Sequence, residues 1–94
     1  MSRVVAIDFA GFCVYEFETR EEATAFVATG AALGFPMFHV TIDGDLVDPD
    51  GLSLPENPDE DEFRDISLAH EASEEVYAEV EAELLAELAE AQAA

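Results

Sequence analysis

The sequence predicts an α+β fold: a small antiparallel sheet in ββαββ order with one packed helix, followed by a long acidic C-terminal helix. Three observations support this. The chain has 94 residues, half of them hydrophobic, which suffices for one domain with one core. Its first half contains β-branched and aromatic runs separated by turn residues, and its second half is rich in Ala, Leu and Glu. We therefore assign residues 1–55 to a ββαββ scaffold and residues 56–94 to an acidic helical segment, packed on or extending from that scaffold within a single domain.

The first two strands are predicted from the runs Val4 to Phe9 and Phe12 to Glu18, which Ala10-Gly11 separates as a hairpin signal. One register collects an apolar face on both strands and requires a three-residue loop. It places Val5, Ile7 and Phe9 opposite Phe17, Tyr15 and Cys13. The other face then carries Ala6, Asp8, Val14, Glu16 and Glu18, which are mostly polar.

A helix follows the first hairpin. Thr19 with Glu22 three residues later forms a capping-box pattern, which marks a helix start. Gly34, followed by Phe35-Pro36, ends the helix. The apolar positions at helical spacing between these signals are Ala23, Phe26, Val27 and Ala31.

The second hairpin is predicted after this helix. The run Met37 to Ile42 alternates, with Phe38, Val40 and Ile42 on one face. Asp43-Gly44 is a strong two-residue turn that leads into a strand over 45–47. The four strands can then form one antiparallel sheet with the helix on its apolar face.

The acidic half begins after a proline-rich loop over residues 48–58. Asn57 is a candidate N-cap with Pro58 at the first helical position. From about residue 65 to 91 the composition predicts one helix of about 40 Å, at about 1.5 Å per residue. Its narrow apolar stripe contains Ile66, Ala69, Ser73, Val76, Val80, Leu84, Leu88 and Ala91. Because the sheet is too small to cover this length, the helix either kinks near Ser73 or meets a second chain as a homodimer.

The charge is the most informative property of the sequence. There are 23 Asp and Glu, three Arg and no Lys, a formal net charge of −20. Residues 1–42 contribute −3 and residues 43–94 contribute −17. Direct binding to nucleic acid or to an anionic membrane is therefore excluded, since both require Lys and Arg. The partner that this charge predicts is a basic protein surface.

The acidic half carries the predicted binding site. Glutamates at i,i+4 spacing from Glu71 to Glu87 destabilise an isolated helix by roughly 0.2–0.5 kcal/mol per pair, and a solvated helix face would normally alternate them with lysine. A partner that needs this charge accounts for the arrangement. The predicted partner-binding residues are Glu71, Glu74, Glu75, Glu79, Glu83, Glu87, Asp59, Asp61 and Glu62.

Three hypotheses explain such a surface. First, carboxylates spaced by about 6 Å along a helix can occupy a cationic groove in place of phosphates. In size, composition and lack of motifs the chain resembles the small acidic inhibitors that phages make against restriction or CRISPR systems, a functional class with which it shares no motif. Second, high-salt adaptation also removes lysine, although here Glu outnumbers Asp fifteen to eight. Third, an antitoxin-like protein or a docked subunit uses an acidic helix to cover a basic protein.

No catalytic, cofactor or metal site is predicted. His39, His70 and Cys13 have no partner at a catalytic spacing, and we interpret the two histidines as surface or partly packed residues and Cys13 as a packed thiol. The Asp48, Asp50 and Gly51 cluster resembles part of a calcium loop but lacks the required end ligands. The chain has no apolar run long enough to span a membrane and no signal-peptide pattern. We expect a cytoplasmic location, which is the host cytoplasm for a phage protein.

Overall fold

The computed structural model describes residues 2–6, 11–37 and 39–93, and omits the side chains of residues 88 and 91–93. The fold is α+β, as predicted. The elements in chain order are β1 Ser2–Ala6, β2 Cys13–Phe17, α1 Arg20–Ala32, β3 Val40–Ile42, β4 Asp45–Val47, a 3-10 turn Pro49–Gly51, α2 Glu60–His70 and α3 Glu74–Ala93.

The strands form one antiparallel sheet in the order β2-β1-β3-β4, and helices cover both of its faces. Successive side chains of a strand point to opposite faces. Val4 accordingly packs in one core with α1 and α2, whereas Val5 packs in a second core with Val80 of α3. The sheet is therefore the middle layer of three.

The first core joins the sheet to α1 and α2 through aromatic rings. Phe26 of α1 stacks on Phe63 of α2 with ring centroids 4.6 Å apart, and Phe17 of β2 lies 5.1 Å from Phe26. These contacts combine apolar burial with favourable offset ring geometry. The buried members of this core are Val4, Ala6, Tyr15, Phe17, Ala23, Phe26, Val27, Val40, Ile42 and Phe63.

The second core is smaller and holds α3 against the other face of the sheet. Val80 is 3 % exposed and lies over Val5 and Val14, with Ala72 beside them. Phe12, Val76, Tyr77 and Leu84 pack around these residues. Because the expected stripe residues Val76, Val80 and Leu84 are used here, α3 docks on its own sheet.

The register predicted for the first hairpin is wrong. The structure pairs Val5 with Val14 and Val4 with Tyr15, where the prediction placed Val5 opposite Phe17. The shift is three residues, and an odd shift turns every β1 side chain to the other face. The prediction assumed that one face is polar, but both faces of this hairpin are buried. The remaining predicted β1 residues Ile7, Asp8 and Phe9, and the predicted turn residue Ala10, lie outside the described ranges.

The local signals around α1 and the Asp43-Gly44 turn are confirmed, whereas the strand predicted from Met37 to Ile42 is observed as Val40–Ile42. The Thr19 hydroxyl accepts a hydrogen bond from the Glu22 amide at 3.2 Å, and α1 ends before Gly34 at φ +84°. Asp43 at φ 54° and Gly44 at φ 86° form the two-residue turn that joins β3 to β4. Positive φ at both positions is the type I′ geometry that suits a right-handed hairpin twist. Phe38 lies outside the described residues.

The helix predicted over residues 65–91 breaks near Ser73, one of the two alternatives that the sequence left open, and forms two helices. Glu71 leaves the helical conformation and forms an antiparallel bridge with Tyr15, at the edge of β2. Ser73 then starts α3, with its hydroxyl accepting from the Val76 amide at 3.4 Å. Asp59, and not Asn57, caps α2. The stripe is thereby divided between the two faces of the sheet.

The segment between α2 and α3 covers the outer edge of β2. The Ala72 amide donates to the Val14 carbonyl at 2.9 Å, and the Val14 amide donates to the Tyr77 hydroxyl at 3.1 Å. Nδ1 of His70 lies 3.0 Å from the Glu16 carbonyl. An uncovered strand edge is a site for association with other chains, so these bonds protect β2.

Replacing Tyr77 with Phe tests this edge. Val14 is fully buried, so loss of the hydroxyl leaves its amide without an acceptor. We expect Tyr77→Phe to lower the free energy of unfolding by about 1–3 kcal/mol. Urea denaturation followed by circular dichroism measures this change. Leu85→Ala, at an exposed position of the same helix, is the control and should alter stability by less than about 0.5 kcal/mol. Equal stability of Tyr77→Phe and the parent chain would contradict this account.

Candidate functional site

The structure divides the nine predicted binding residues between the two faces of the sheet. Asp59, Asp61 and Glu62 lie at the start of α2, which packs on the first core. Glu71 lies in the link at the edge of β2. The other five, Glu74, Glu75, Glu79, Glu83 and Glu87, lie on α3 over the second core. The nine residues therefore do not form one continuous surface.

The acids at the start of α2 have a structural role. Oδ1 of Asp59 accepts hydrogen bonds from the amides of Asp61 and Glu62 at 3.0 and 3.2 Å. Carboxylates in the first helical turn also interact favourably with the positive end of the helix dipole. Asp59, Asp61 and Glu62 thus stabilise α2 whether or not they contact a partner.

Most of the acids on α3 have no comparable structural role. Glu74 and Glu75 lie in the first turn, where the dipole favours them, but five others lie further along. The last turn of α3 contains no basic residue, so negative charge there opposes both the dipole and its neighbours. The five residues are Glu79, Glu81, Glu83, Glu87 and Glu90.

The charge density of α3 is close to that of a nucleic-acid strand. Seven exposed glutamates lie between residues 74 and 90, a length of about 24 Å at about 1.5 Å per residue. This is one charge per about 4 Å, compared with one per about 3.4 Å along a single strand of duplex DNA. Projected on its axis, the helix therefore has a charge per unit length close to that of a nucleic-acid strand.

The glutamates at i,i+4 spacing wind around α3. Each step of four residues turns the position by about 40° around the helix axis. Successive glutamates of this i,i+4 series therefore lie progressively closer to the sheet after Glu75. Glu83 and Glu87 border a cleft of about 450 Å³ between α3 and the sheet. Glu16 and Asp43 line the same cleft from the sheet side. The acidic surface thus includes two carboxylates that the sequence pattern did not indicate.

A backbone hydrogen bond keeps one of these added carboxylates ionised. The Arg3 amide donates to Oδ1 of Asp43 at 3.0 Å, and this bond lowers the pKa of Asp43 below its ordinary value of 3.8. Arg3 also lies directly opposite Glu16 in the sheet. With the correct β1 register, strand alternation alone would have placed Arg3 and Glu16 on the face that α3 covers.

The three arginines neutralise little of this surface. Arg3 pairs with Glu79 at 3.6 Å, Arg20 pairs with Asp45 at 3.1 Å, and Arg64 pairs with Glu60 at 3.6 Å. Exposed ion pairs of this kind contribute about 0–1 kcal/mol each. Since each arginine already has an internal carboxylate partner, the remaining negative charge is left for solvent or for a cationic partner.

The residues considered for catalysis or metal binding have other surroundings. His70 stacks on Phe17 with ring centroids 4.5 Å apart, His39 is exposed, and Cys13 packs half-buried against the first core. The Asp48 carboxylate accepts from the Asp50 amide at 3.1 Å and so caps the 3-10 turn. Within residues 2–6, 11–37 and 39–93, no group of three or more His, Cys, Asp or Glu side chains is placed to hold a metal ion.

No protein-family model matches this chain, and no curated protein or solved structure is detectably similar to it. None of the helices in the described part of the chain combines the length and the hydropathy that crossing a membrane requires. Function is therefore inferred from the surface itself.

Replacing Asp43 with Asn tests the hydrogen bond at the cleft. The pKa of Asp43 is lower in the folded chain than in the unfolded chain, so ionisation of this carboxyl group stabilises the fold above about pH 4. This stabilisation is lost as the pH falls through the folded-state pKa. The introduced asparagine would keep the turn geometry, because Asn tolerates positive φ, but it cannot titrate. We expect the parent chain to exceed Asp43→Asn in stability at pH 7 and the difference to shrink below about pH 4. Urea denaturation at several pH values measures it, and a pH-independent difference would refute the assignment.

Proposed function

We propose that this protein is a non-catalytic acidic inhibitor that mimics nucleic acid and occupies the basic groove of a nucleic-acid-binding protein. Phages make inhibitors of this kind against the restriction or CRISPR systems of their hosts. The observation that carries the proposal is the array of exposed glutamates on α3, whose charge per unit length is close to that of phosphates along a strand. Most of these glutamates oppose the stability of their own helix.

The packing of α3 supports this role. Val76, Val80 and Leu84 hold the helix against the sheet, so its carboxylates are carried on a backbone that is ordered before a partner binds. Preorganisation reduces the entropy that association would otherwise cost. A flexible acidic tail of equal charge would lack this advantage.

The same packing weakens the antitoxin-like or docked-subunit hypothesis. That hypothesis requires an exposed apolar patch around Val76, Val80, Leu84 and Leu88. The first three side chains contact the chain's own sheet, and the side chain of Leu88 lies outside the described part. Among the described side chains, the large exposed hydrophobic ones, Leu46, Leu54, Leu68 and Leu85, lie on four different elements or loops. Homodimerisation through the C-terminal helix, which used the same stripe, stays a prediction.

High-salt adaptation is the alternative explanation of the acidic surface, and salt dependence of folding separates it from mimicry. A mimic from an ordinary cell must fold at a Debye length of about 8 Å, near 0.15 M salt. We expect a cooperative thermal transition above about 40 °C in such a buffer, followed by circular dichroism. A chain that is unfolded at about 0.15 M salt and folded at about 2 M would contradict mimicry and support adaptation.

Charge reversal on α3 tests the proposed contact surface. Glu75, Glu83 and Glu87 are exposed and have no arginine partner among the described ion pairs, so converting all three to Lys should preserve the fold.

The binding assay uses the immobilised chain to retain bacterial proteins at low salt. Excess duplex DNA or RNA at the same salt should release the retained proteins. We expect the triple variant to retain them at least about tenfold more weakly. The matched control reverses Glu18, Glu21 and Glu56, which are equally exposed but lie on other elements.

Two outcomes would refute mimicry once a partner is isolated. A ternary complex with nucleic acid would show that the protein does not occupy the nucleic-acid groove. An affinity that changes by less than about threefold between about 0.05 and 0.5 M salt would show that Coulomb attraction is not the main contribution. Equal loss of binding in the α3 variant and its control would place the contact elsewhere.

A further inference from the structure

A groove of about 540 Å³ runs between α1 and α2, on the face of the sheet opposite to α3. Its walls are two helical ridges with spacings of three and four residues, which place their members on one helix face. The α1 ridge consists of Glu22, Ala25, Phe26 and Thr29, and the α2 ridge consists of Asp59, Glu62, Phe63, Ile66 and His70.

The floor of this groove is aromatic and already ordered. Phe63 is 3 % exposed and stacks between Phe26 and Phe35, with centroid distances of 4.6 and 5.3 Å. Phe17 extends the floor and stacks on His70. Because these rings are already buried, a partner side chain would pack above them, against Ala25 and Ile66, and would not have to reorganise the core.

The groove stays open where its α1 wall carries the small side chains of Ala25 and Thr29. Ala25 is exposed and provides a single methyl group. The Thr29 hydroxyl donates to the Ala25 carbonyl at 2.8 Å, so its hydrogen-bonding capacity is used within the helix. On the other wall, Ile66 is only half-buried. The surface offered to a partner at this level is therefore mainly apolar.

The rim of the groove selects for positive charge. Glu22 on α1 and Asp59 and Glu62 on α2 are exposed carboxylates at its border. The arginines nearest in sequence, Arg20 and Arg64, pair with Asp45 and Glu60 instead. A second copy of this chain would bring a net charge of −20 to an acidic rim, and the repulsion disfavours it as the occupant.

We propose that this groove docks a basic segment of a partner protein, in which one aliphatic or aromatic side chain is flanked by arginine or lysine. The apolar side chain packs against Ala25 and Ile66, above the buried rings of Phe26 and Phe63, and the flanking cations lie against Glu22, Asp59 and Glu62. Burial of an apolar anchor with charges at the rim is the usual composition of a protein interface. This surface is separate from the α3 array, because the two lie on opposite faces of the sheet.

The experiment uses the full chain and two labelled peptides. The probe is a short peptide with Leu-Phe at its centre and a pair of arginines at each end, and its match has Ser-Ser at the centre. Fluorescence polarisation at about 0.15 M salt measures both affinities. We expect the Leu-Phe peptide to bind at least about fivefold more tightly, since both carry the same charge and only one can bury an apolar anchor.

Two lysine variants locate the binding site. Ala25→Lys places a cation and a long side chain in the groove wall, whereas Ala78→Lys makes the same change at an exposed alanine of α3. Both sites are exposed helical positions, so both variants should fold, which circular dichroism checks. We expect Ala25→Lys to weaken the Leu-Phe peptide by about tenfold and Ala78→Lys by less than about twofold. Amide shifts in the nuclear magnetic resonance spectrum should cluster on residues 22–29 and 59–66.

Four outcomes would overturn the proposal. Equal affinity for the two peptides would show that binding needs charge attraction and no apolar anchor. Equal weakening of Leu-Phe peptide binding by Ala25→Lys and Ala78→Lys would show that charge attraction acts without a specific site in the groove. Absence of binding by both peptides would remove the groove as a docking site. Sedimentation of the chain alone as a dimer that Ala25→Lys dissociates would assign the groove to a second copy. None of these results bears on competition between the α3 surface and nucleic acid, so the two proposals fail independently.

Discussion

The arrangement of this protein depends on the burial of β1 and β2 on both faces. Val4 and Val5 are adjacent in sequence and therefore point to opposite sides of the sheet, yet both are almost fully buried. Two separate apolar layers are needed to cover them. α1 and α2 supply one layer and α3 supplies the other, so the chain must cross from one face to the other after α2.

This crossing determines where the negative charge is displayed. Residues 71–73 run along the edge of β2, where Glu71 pairs with Tyr15 and the Ala72 amide bonds to Val14. α3 then starts beyond the edge with its apolar side on the sheet and its glutamates outward or toward the cleft. A continuous helix over the same residues would have projected this charge away from the domain, without the sheet to hold it in position.

The two proposed surfaces use different physical contributions. The α3 array acts through Coulomb attraction to a cationic groove and depends on carboxylates that oppose the helix they belong to. The groove between α1 and α2 adds apolar burial on rings that the first core already orders. Because the sheet separates them, a change on one surface should leave the other intact, which makes each open to an independent test.

The sequence by itself determined the features that depend on neighbouring residues and on composition. The Thr19 cap and the Asp43-Gly44 turn follow from local hydrogen-bonding or backbone preferences, and the net charge is a sum over residues. Only the tertiary structure decided the register of β1, the division of the C-terminal segment and the inclusion of Glu16 and Asp43 in the acidic surface. The register depends on which faces of the sheet are covered by helices. A run such as Val4-Val5-Ala6 is apolar on both faces, so the face to which each of its side chains points depends on helices far along the chain.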